Sequence, residues 1–199
     1  MDPVWSARAK RFRDNETGRW ISADSVRGWM DTSILHGERT VESWAEAVAA
    51  DWMTPSQFHL AMRQELKEAY IRQYVVGRGG LEQMTSADWG RVGGMLRDQY
   101  RYLDAFVDDM GTLSEGQIAA RARMYINSQR EAFERSNSEV QLDAGKTQEL
   151  WVLGAAEHCD DCVALAAMGW TEIGGHGTVP GAGETACLTN CQCHLEYRR

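Results

Sequence analysis

Apolar residues recur every three or four positions through the middle of the chain, from about residue 40 to residue 140. This spacing places them on one face of an α-helix, so the segment is predicted to be helical. Thr54-Pro55-Ser56-Gln57 is typical of a helix start, because it combines an N-cap, a first-turn proline and a capping-box glutamine. This helix is predicted to end at Gly77–Gly80. Its inward face consists of Phe58, Met62, Leu66, Ala69 and Ile71 or Tyr74.

Two further helices follow the same pattern, and a shorter one is predicted from Thr40 to Met53. One begins near Thr85 and stops at Gly111, and the next begins at the capping box that starts with Ser114. Packing of such faces through short loops predicts a helical bundle over residues 38–145, and therefore a mainly α fold. The inward residues are Val92, Leu96, Tyr100, Leu103, Val107 and Met110, then Ile118, Ala122, Tyr125 and Phe133.

The first 37 residues lack this periodicity, and residues 1–37 are predicted to form an extended arm. Within the arm, Phe12 to Ile21 is typical of strand, turn and strand, with Asp14-Asn15 and Thr17-Gly18 supplying the turn. A segment this short buries little apolar surface by itself, so it needs a partner surface. That surface belongs either to the same chain or to a neighbouring subunit.

The charge of the chain argues against some functions. The formal net charge is −8, whereas generic nucleic-acid binding needs a cationic surface that releases counterions. The basic stretch from Arg8 to Arg19 could contact phosphates, but a solvated arm is the favoured interpretation. No apolar run approaches the roughly 18 residues of a membrane span, and the N-terminus lacks the apolar segment of a secretory signal. We therefore expect folding in a cytoplasm, no membrane contact and only incidental contact with nucleic acid.

All five cysteines lie near the C-terminus, between residues 159 and 193. Cys159 and Cys162 are separated by two residues, which lets both thiols face one ion on a tight turn. Cys191 and Cys193 share a face if their segment is extended, and Cys187 lies one loop earlier. In a cytoplasmic protein such clustering favours a metal site over disulfides. A disulfide pair and reduced, buried thiols are the alternatives.

Four thiolates complete a tetrahedral zinc shell, which is structural because no position stays open for water. The favoured ligand set is Cys159, Cys162, Cys187 and Cys191. Cys193 is then the surplus thiol or a substitute, and His158 and His194 are weaker candidates. Residues 146–199 are predicted to form a small cysteine-rich α+β module with little apolar core of its own. Zinc would contribute on the order of 10 kcal/mol to its folding free energy.

Catalysis is not predicted. A cysteine nucleophile needs a separately positioned base, but His158 is adjacent to Cys159, and adjacent side chains usually point apart. The two acids between Cys159 and Cys162 would raise a thiol pKa, whereas a redox-active thiol needs a lowered one. The helical segment contains neither a phosphate-binding loop nor a nucleophile elbow.

The C-terminal motifs resemble those of a known family. A tryptophan-led helix with Cys-x-x-Cys, a Gly/Pro loop and Asn-Cys-x-Cys before an apolar strand are similar to the C-terminal signature of phage minor head proteins, the Mu-type head-morphogenesis family. The family commonly has a histidine near the position of Cys187, and a thiolate can replace an imidazole at zinc. Arg13-Asp14 with Thr17-Gly18-Arg19-Trp20-Ile21-Ser22 also resembles an opening seen in phage virion proteins. The C-terminal resemblance rests on Cys159, Cys162, Leu165, Gly169, Pro180, Asn190, Cys191, Cys193 and Leu195.

This resemblance implies a structural component of a tailed-phage head, made in the host cytoplasm and incorporated into the virion. Such a minor capsid or portal-associated protein would act in head morphogenesis. It would contact portal or major capsid subunits, in multiple copies within a symmetric assembly. The alternative functions are a zinc-containing nucleic-acid-binding or regulatory adaptor and, behind it, an enzyme that uses a cysteine or a metal-bound water.

Overall fold

The computed structural model describes residues 2–199 and contains a five-helix bundle between an N-terminal hairpin and a C-terminal α+β module. The predicted mainly α fold is therefore confirmed. Within residues 2–199, no helix is both long and apolar enough to cross a lipid bilayer. The bundle helices are α1 (Ala23–Ala49), α2 (Pro55–Arg78), α3 (Ser86–Asp109), α4 (Glu115–Asn127) and α5 (Gln129–Asp143).

The core of the bundle forms where α2 packs along α5 and α1 packs along α4. Most of the predicted inward positions are buried, including Phe58, Met62 and Leu66 on α2. Tyr70 also lies in this core, and its hydroxyl donates a hydrogen bond to Ser128 Oγ at 2.7 Å. Ser128 separates α4 from α5, so this buried contact holds the junction of the two helices against α2.

The predicted helix starts at Thr54, Thr85 and Ser114 are confirmed, whereas the start predicted at Thr40 is wrong because α1 already begins at Ala23 and ends at Ala49. At Thr54, Thr85 and Ser114 the side chain accepts a hydrogen bond from the third helical N–H, and the residue at that position bonds back to the cap. Helix α2 ends at Gly79, whose φ of 93° lies in the left-handed region. A side chain at Gly79 would also collide with Trp5, so the close approach of the N-terminal segment requires glycine.

Helix α1 begins at Ala23, so the extended arm ends at residue 22 and the predicted boundary at residue 37 is wrong. The Ser22 side chain caps this helix by accepting the Ser25 N–H at 3.0 Å. Val26, Met30 and Ile34 are buried at helical spacing, and they pack the first turns of α1 against the bundle.

The N-terminal hairpin consists of β1 (Pro3–Ser6) and β2 (Arg11–Asp14), paired antiparallel. The predicted strand at Phe12 and the turn after it are confirmed. The predicted second strand is reduced to a single bridge between Arg13 and Trp20, and the main partner of β2 is β1. The sequence pattern does not predict β1, because strand formation depends on packing context, here the contact of Trp5 and Phe12 with the bundle.

The hairpin packs on its own chain, which answers where its partner surface lies. Phe12 is buried in the bundle core and meets Trp5 edge-to-face, with ring centroids 5.1 Å apart. The backbone N–H of Trp5 donates a hydrogen bond to the Gly79 carbonyl at 2.9 Å. The hairpin is thus an ordered part of the bundle surface.

The C-terminal module contains a three-stranded antiparallel sheet and one short helix. Its elements are β3 (Gln148–Val152), α6 (Asp160–Ala167), β4 (Trp170–Glu172) and β5 (His194–Arg198), with strand order β4-β3-β5. Trp151 lies on β3 opposite Leu195, so the expected tryptophan-led helix is instead a tryptophan-bearing strand. The Tyr197 hydroxyl meets Ser138 Oγ on α5 at 2.7 Å and joins the module to the bundle.

Candidate metal centre

The first pair of cysteines lies at the start of α6. Cys159 is the N-cap residue, with an extended backbone (φ −72°, ψ 159°), and Cys162 lies in the first turn of the helix. A helix start presents free N–H groups and the positive end of the helix dipole, and both stabilise thiolates. Asp161, between the two cysteines, accepts the Ala186 N–H at 2.7 Å. This bond holds the loop that carries Cys187 against α6.

The second group of cysteines lies where the chain enters β5. Cys187 precedes a short 3-10 turn, Leu188–Asn190, in which Leu188 adopts a positive φ of 52°. Cys191 is extended, and Cys193 immediately precedes the strand. Extended backbone from Cys191 onward turns both thiols to the same side, as the alternate spacing predicted.

The five sulfur atoms form two overlapping triads that share Cys162. Cys162 Sγ lies 3.6 Å from Cys187 Sγ and 3.6 Å from Cys191 Sγ. A zinc–sulfur distance of about 2.3 Å in a tetrahedron places neighbouring sulfurs about 3.8 Å apart. The observed separations are close to that edge length, and all five thiols are free of disulfides. In each triad all sulfurs lie within 4.8 Å of one another: Cys159, Cys162 and Cys187, and Cys162, Cys191 and Cys193.

The sulfur cluster is also the hydrophobic core of the module. Its fully buried members are Trp151, Cys162, Cys191, Cys193 and Leu195, so three of the five are cysteines. Cys159 and Cys187 are partly buried beside them. Three thiols in a core of five leave little apolar surface to stabilise the module by burial alone.

The surroundings of the cluster shift thiol pKa values in both directions. Burial alone would raise the pKa of Cys159, but the N–H groups of Cys162 and Cys187 outweigh it and lower the pKa to about 7. The Cys191 thiol lowers the pKa of Cys193 to about 5. Burial raises the pKa of Cys162 far above its usual range, and the neighbouring Cys193 does the same for Cys191. A bound divalent cation would lower the raised pKa values, because a thiol that coordinates a metal ion loses its proton.

The two histidines proposed as substitute ligands lie in different places. His158 is next to the cluster, with Nδ1 3.8 Å from Cys193 Sγ and Nε2 2.9 Å from the Gly154 carbonyl. His194 faces Glu196 instead, at 3.6 Å. His158 is therefore near enough to contact a thiolate, and the structure does not bring His194 into a triad.

Several residues that support the site are not indicated by any sequence motif. A side chain at Gly154 would collide with the Gln192 carbonyl, so glycine lets this loop pass closely over the segment between Cys191 and Cys193. On the far side of Trp151, the buried His176 Nδ1 lies 3.0 Å from Glu149 Oε1. This pair joins the glycine-rich loop to β3. The Gly-Gly-His-Gly run was the only local signal of it.

The described geometry places all five predicted cysteines in one cluster that could hold a metal ion. A donor set of thiolates suits soft or borderline ions such as zinc. Comparison of the chain with protein-family models, with curated proteins and with solved structures gave no match.

Proposed function

We propose that the chain is a structural component of a tailed-phage head, a minor capsid or portal-associated protein that acts in head morphogenesis. The observation that carries the proposal is the convergence of Cys159, Cys162, Cys187, Cys191 and Cys193 in the core of a small module docked on a helical bundle. Cys159, Cys162, Cys191 and Cys193 also carry the resemblance to phage minor head proteins. A sulfur cluster that replaces a hydrophobic core favours a structural role over catalysis.

The ion that best fits the cluster is zinc, bound by four thiolates. We assign Cys159, Cys162, Cys187 and Cys191 as ligands. The Cys162 sulfur lies within 4.8 Å of the Cys159 and Cys187 sulfurs and 3.6 Å from the Cys191 sulfur. Cys193 is then the surplus thiol. Zinc held in this way supplies folding free energy to the module and leaves no position for a reacting water.

The metal assignment is tested by native mass spectrometry of the reduced chain. One bound zinc is expected, and a chelator should remove it. Cys162→Ser should abolish zinc binding, because this residue belongs to both triads, whereas the matched variant Cys193→Ser should retain one zinc. A reduced chain without bound metal, or loss of zinc from both variants alike, would contradict the four-ligand assignment.

The assembly role predicts partners among portal or major capsid subunits, with several copies in a symmetric particle. Trp52, which is 86% exposed, and Leu60 are apolar side chains available for such contacts. Deletion of the gene from the phage that encodes the chain should prevent head formation, and purified particles should contain the protein in fixed stoichiometry. Normal head yield after deletion would overturn the proposal.

A further inference from the structure

The N-terminal hairpin carries its basic residues on an ordered surface. Its apolar side chains Trp5 and Phe12 pack against the bundle, and Lys10 Nζ donates to the Ala144 carbonyl at the end of α5 at 2.7 Å. Arg11 and Arg13 alternate with buried residues on β2, so both extend from the same outer face. This stretch is therefore a docked hairpin and not a free arm, and its basic side chains remain exposed to solvent.

These basic side chains have no acidic partners. In the described part of the chain, most bundle arginines are in salt bridges, and none of the basic residues of the hairpin is. Residues 1–22 carry five basic and three acidic side chains, although the whole chain has a net charge of −8. The N-terminal segment of this acidic protein is thus locally cationic. Within residues 2–199, the basic residues of this segment without a carboxylate partner are Arg8, Lys10, Arg11, Arg13 and Arg19.

A cleft of about 570 Å³ opens beside the hairpin, between it, the start of α1, α5 and β5. This volume is within the range of ligand pockets. Lys10, Arg11 and Lys146 contribute positive charge to its lining, and among residues 2–199 no carboxylate bonds to any of the three. Trp20 also lines it, with the Arg11 guanidinium 4.0 Å from its ring centroid and 46% of its surface exposed.

Two acids, Glu134 and Glu196, line the cleft together with four basic side chains, Lys10, Arg11, Arg27 and Lys146. Glu134 is only 1% exposed, and neither carboxylate oxygen has a hydrogen-bond partner of ordinary geometry among residues 2–199. Burial raises the pKa of Glu134 to about 8, against the opposing effect of Arg130. Burial thus favours the uncharged form of Glu134, so the lining keeps a positive balance, with Glu196 as its exposed acid.

We propose that this cleft and the outer face of the hairpin bind single-stranded nucleic acid, with the cations on phosphates and a base stacked on Trp20. Proteins that bind single strands without sequence preference combine a cationic groove with exposed aromatic rings in this way. An acidic peptide would use the cations but would gain no stacking on the indole ring. The ring and the charge together therefore favour the nucleic acid.

The test is fluorescence anisotropy of the full chain with labelled oligothymidylate and oligouridylate of about fifteen nucleotides. We expect a dissociation constant of roughly 1–100 µM and a log–log salt slope near −3, which corresponds to a roughly 60-fold loss of affinity from about 50 to about 200 mM salt. Arg11→Gln with Arg13→Gln should reduce the slope by about half. Arg97→Gln with Arg101→Gln on α3 removes the same charge elsewhere, and should leave binding unchanged.

Trp20→Leu separates stacking from charge. It should weaken binding at least 5-fold while the salt slope stays constant, because a stacked base is lost and the phosphate contacts remain. Circular dichroism of each variant checks that the fold is kept. Preference for DNA or RNA identifies the strand, and either supports the proposal. No binding at about 50 mM salt, equal loss in the α3 control, or equal binding of an oligoglutamate peptide with no effect of Trp20→Leu would overturn it.

Discussion

The helical bundle and the cysteine module are folded by different forces. The bundle buries a continuous core of 22 residues, almost all of them aliphatic or aromatic, so apolar burial suffices to hold it. The hydrophobic core of the module has five residues, three of them cysteines, so its stability must come largely from what binds the sulfurs. One chain therefore contains a part that folds by apolar burial and a part that folds by metal coordination. Each part should unfold without the other.

The largest expected effect comes from removal of the metal. A chelator with reductant, or Cys162→Ser, should unfold the module, because structural zinc supplies on the order of 10 kcal/mol of folding free energy. Hydrogen exchange measured by mass spectrometry should then show loss of protection over residues 148–198. Protection in α2 and α5 should remain. Protection that persists in the module without metal would remove the contrast between the two parts.

The converse experiment weakens the bundle alone. Leu66→Ala removes a fully buried side chain on α2 and should cost about 2–5 kcal/mol in a urea titration. The same substitution at Leu60, which is 68% exposed on the same helix, should change stability by less than about 0.5 kcal/mol. Both variants should bind zinc as the unmodified chain does. A Leu66→Ala variant that lost zinc would indicate that the module cannot fold without an intact bundle.

The junction of the two parts is predicted to depend on pH through Glu134 on α5. The pKa of this buried acid is raised from 4.5 to about 8 in the folded state, chiefly by burial. Its stabilising contribution is therefore complete below pH 4.5 and is lost as the pH rises through about 8, by at most about 1.4 kcal/mol per pH unit.

Glu134→Gln should flatten that dependence, so that the variant becomes the more stable of the two at high pH. Urea titrations between pH 5 and 9 measure the difference, with Glu82→Gln on the surface as a control that should follow the unmodified chain. Parallel pH curves for the chain and its Glu134→Gln variant would contradict the prediction.

The smallest expected effect tests the close backbone contact next to the cluster. Gly154→Ala places a methyl group against the Gln192 carbonyl and should destabilise the module by about 1–3 kcal/mol, with weaker zinc binding in a competition assay. Gly93→Ala lies inside α3 with open space around it, and should stabilise the bundle by about 0.5–1 kcal/mol. Equal effects at both glycines would show that backbone entropy, and not the contact, determines the result.

Much of the bundle was predictable because its signals are local. Thr54, Thr85 and Ser114 cap helices through bonds to residues three positions away, and the sequence contains both partners of each bond. Helix α1 was placed too late because Gly28 and Gly37 weaken the helical pattern. Gly37 is small for a tertiary reason, since a side chain there would meet an Ile126 methyl group on α4 at 2.8 Å.

The cysteine site was predictable in membership but not in arrangement. Two-residue spacing and alternate spacing indicated which thiols point together, and all five do converge. The sharing of Cys162 between two triads depends on how α6 and the loop from Cys187 to Cys193 meet. This interface is held by the hydrogen bond from the Ala186 N–H to Asp161 and by the close contact of Gly154 with the Gln192 carbonyl. No sequence pattern indicates either contact.

The sequence by itself determined the helical periodicity, three of the helix starts and the set of thiols, because each depends on neighbours within a few residues along the chain. The tertiary structure alone decided the docking of the basic hairpin, the sharing of Cys162 between two triads and the burial of Glu134. Each of these depends on surfaces that meet only after the chain has folded, and the free energy of such contacts comes from water excluded between segments far apart in sequence.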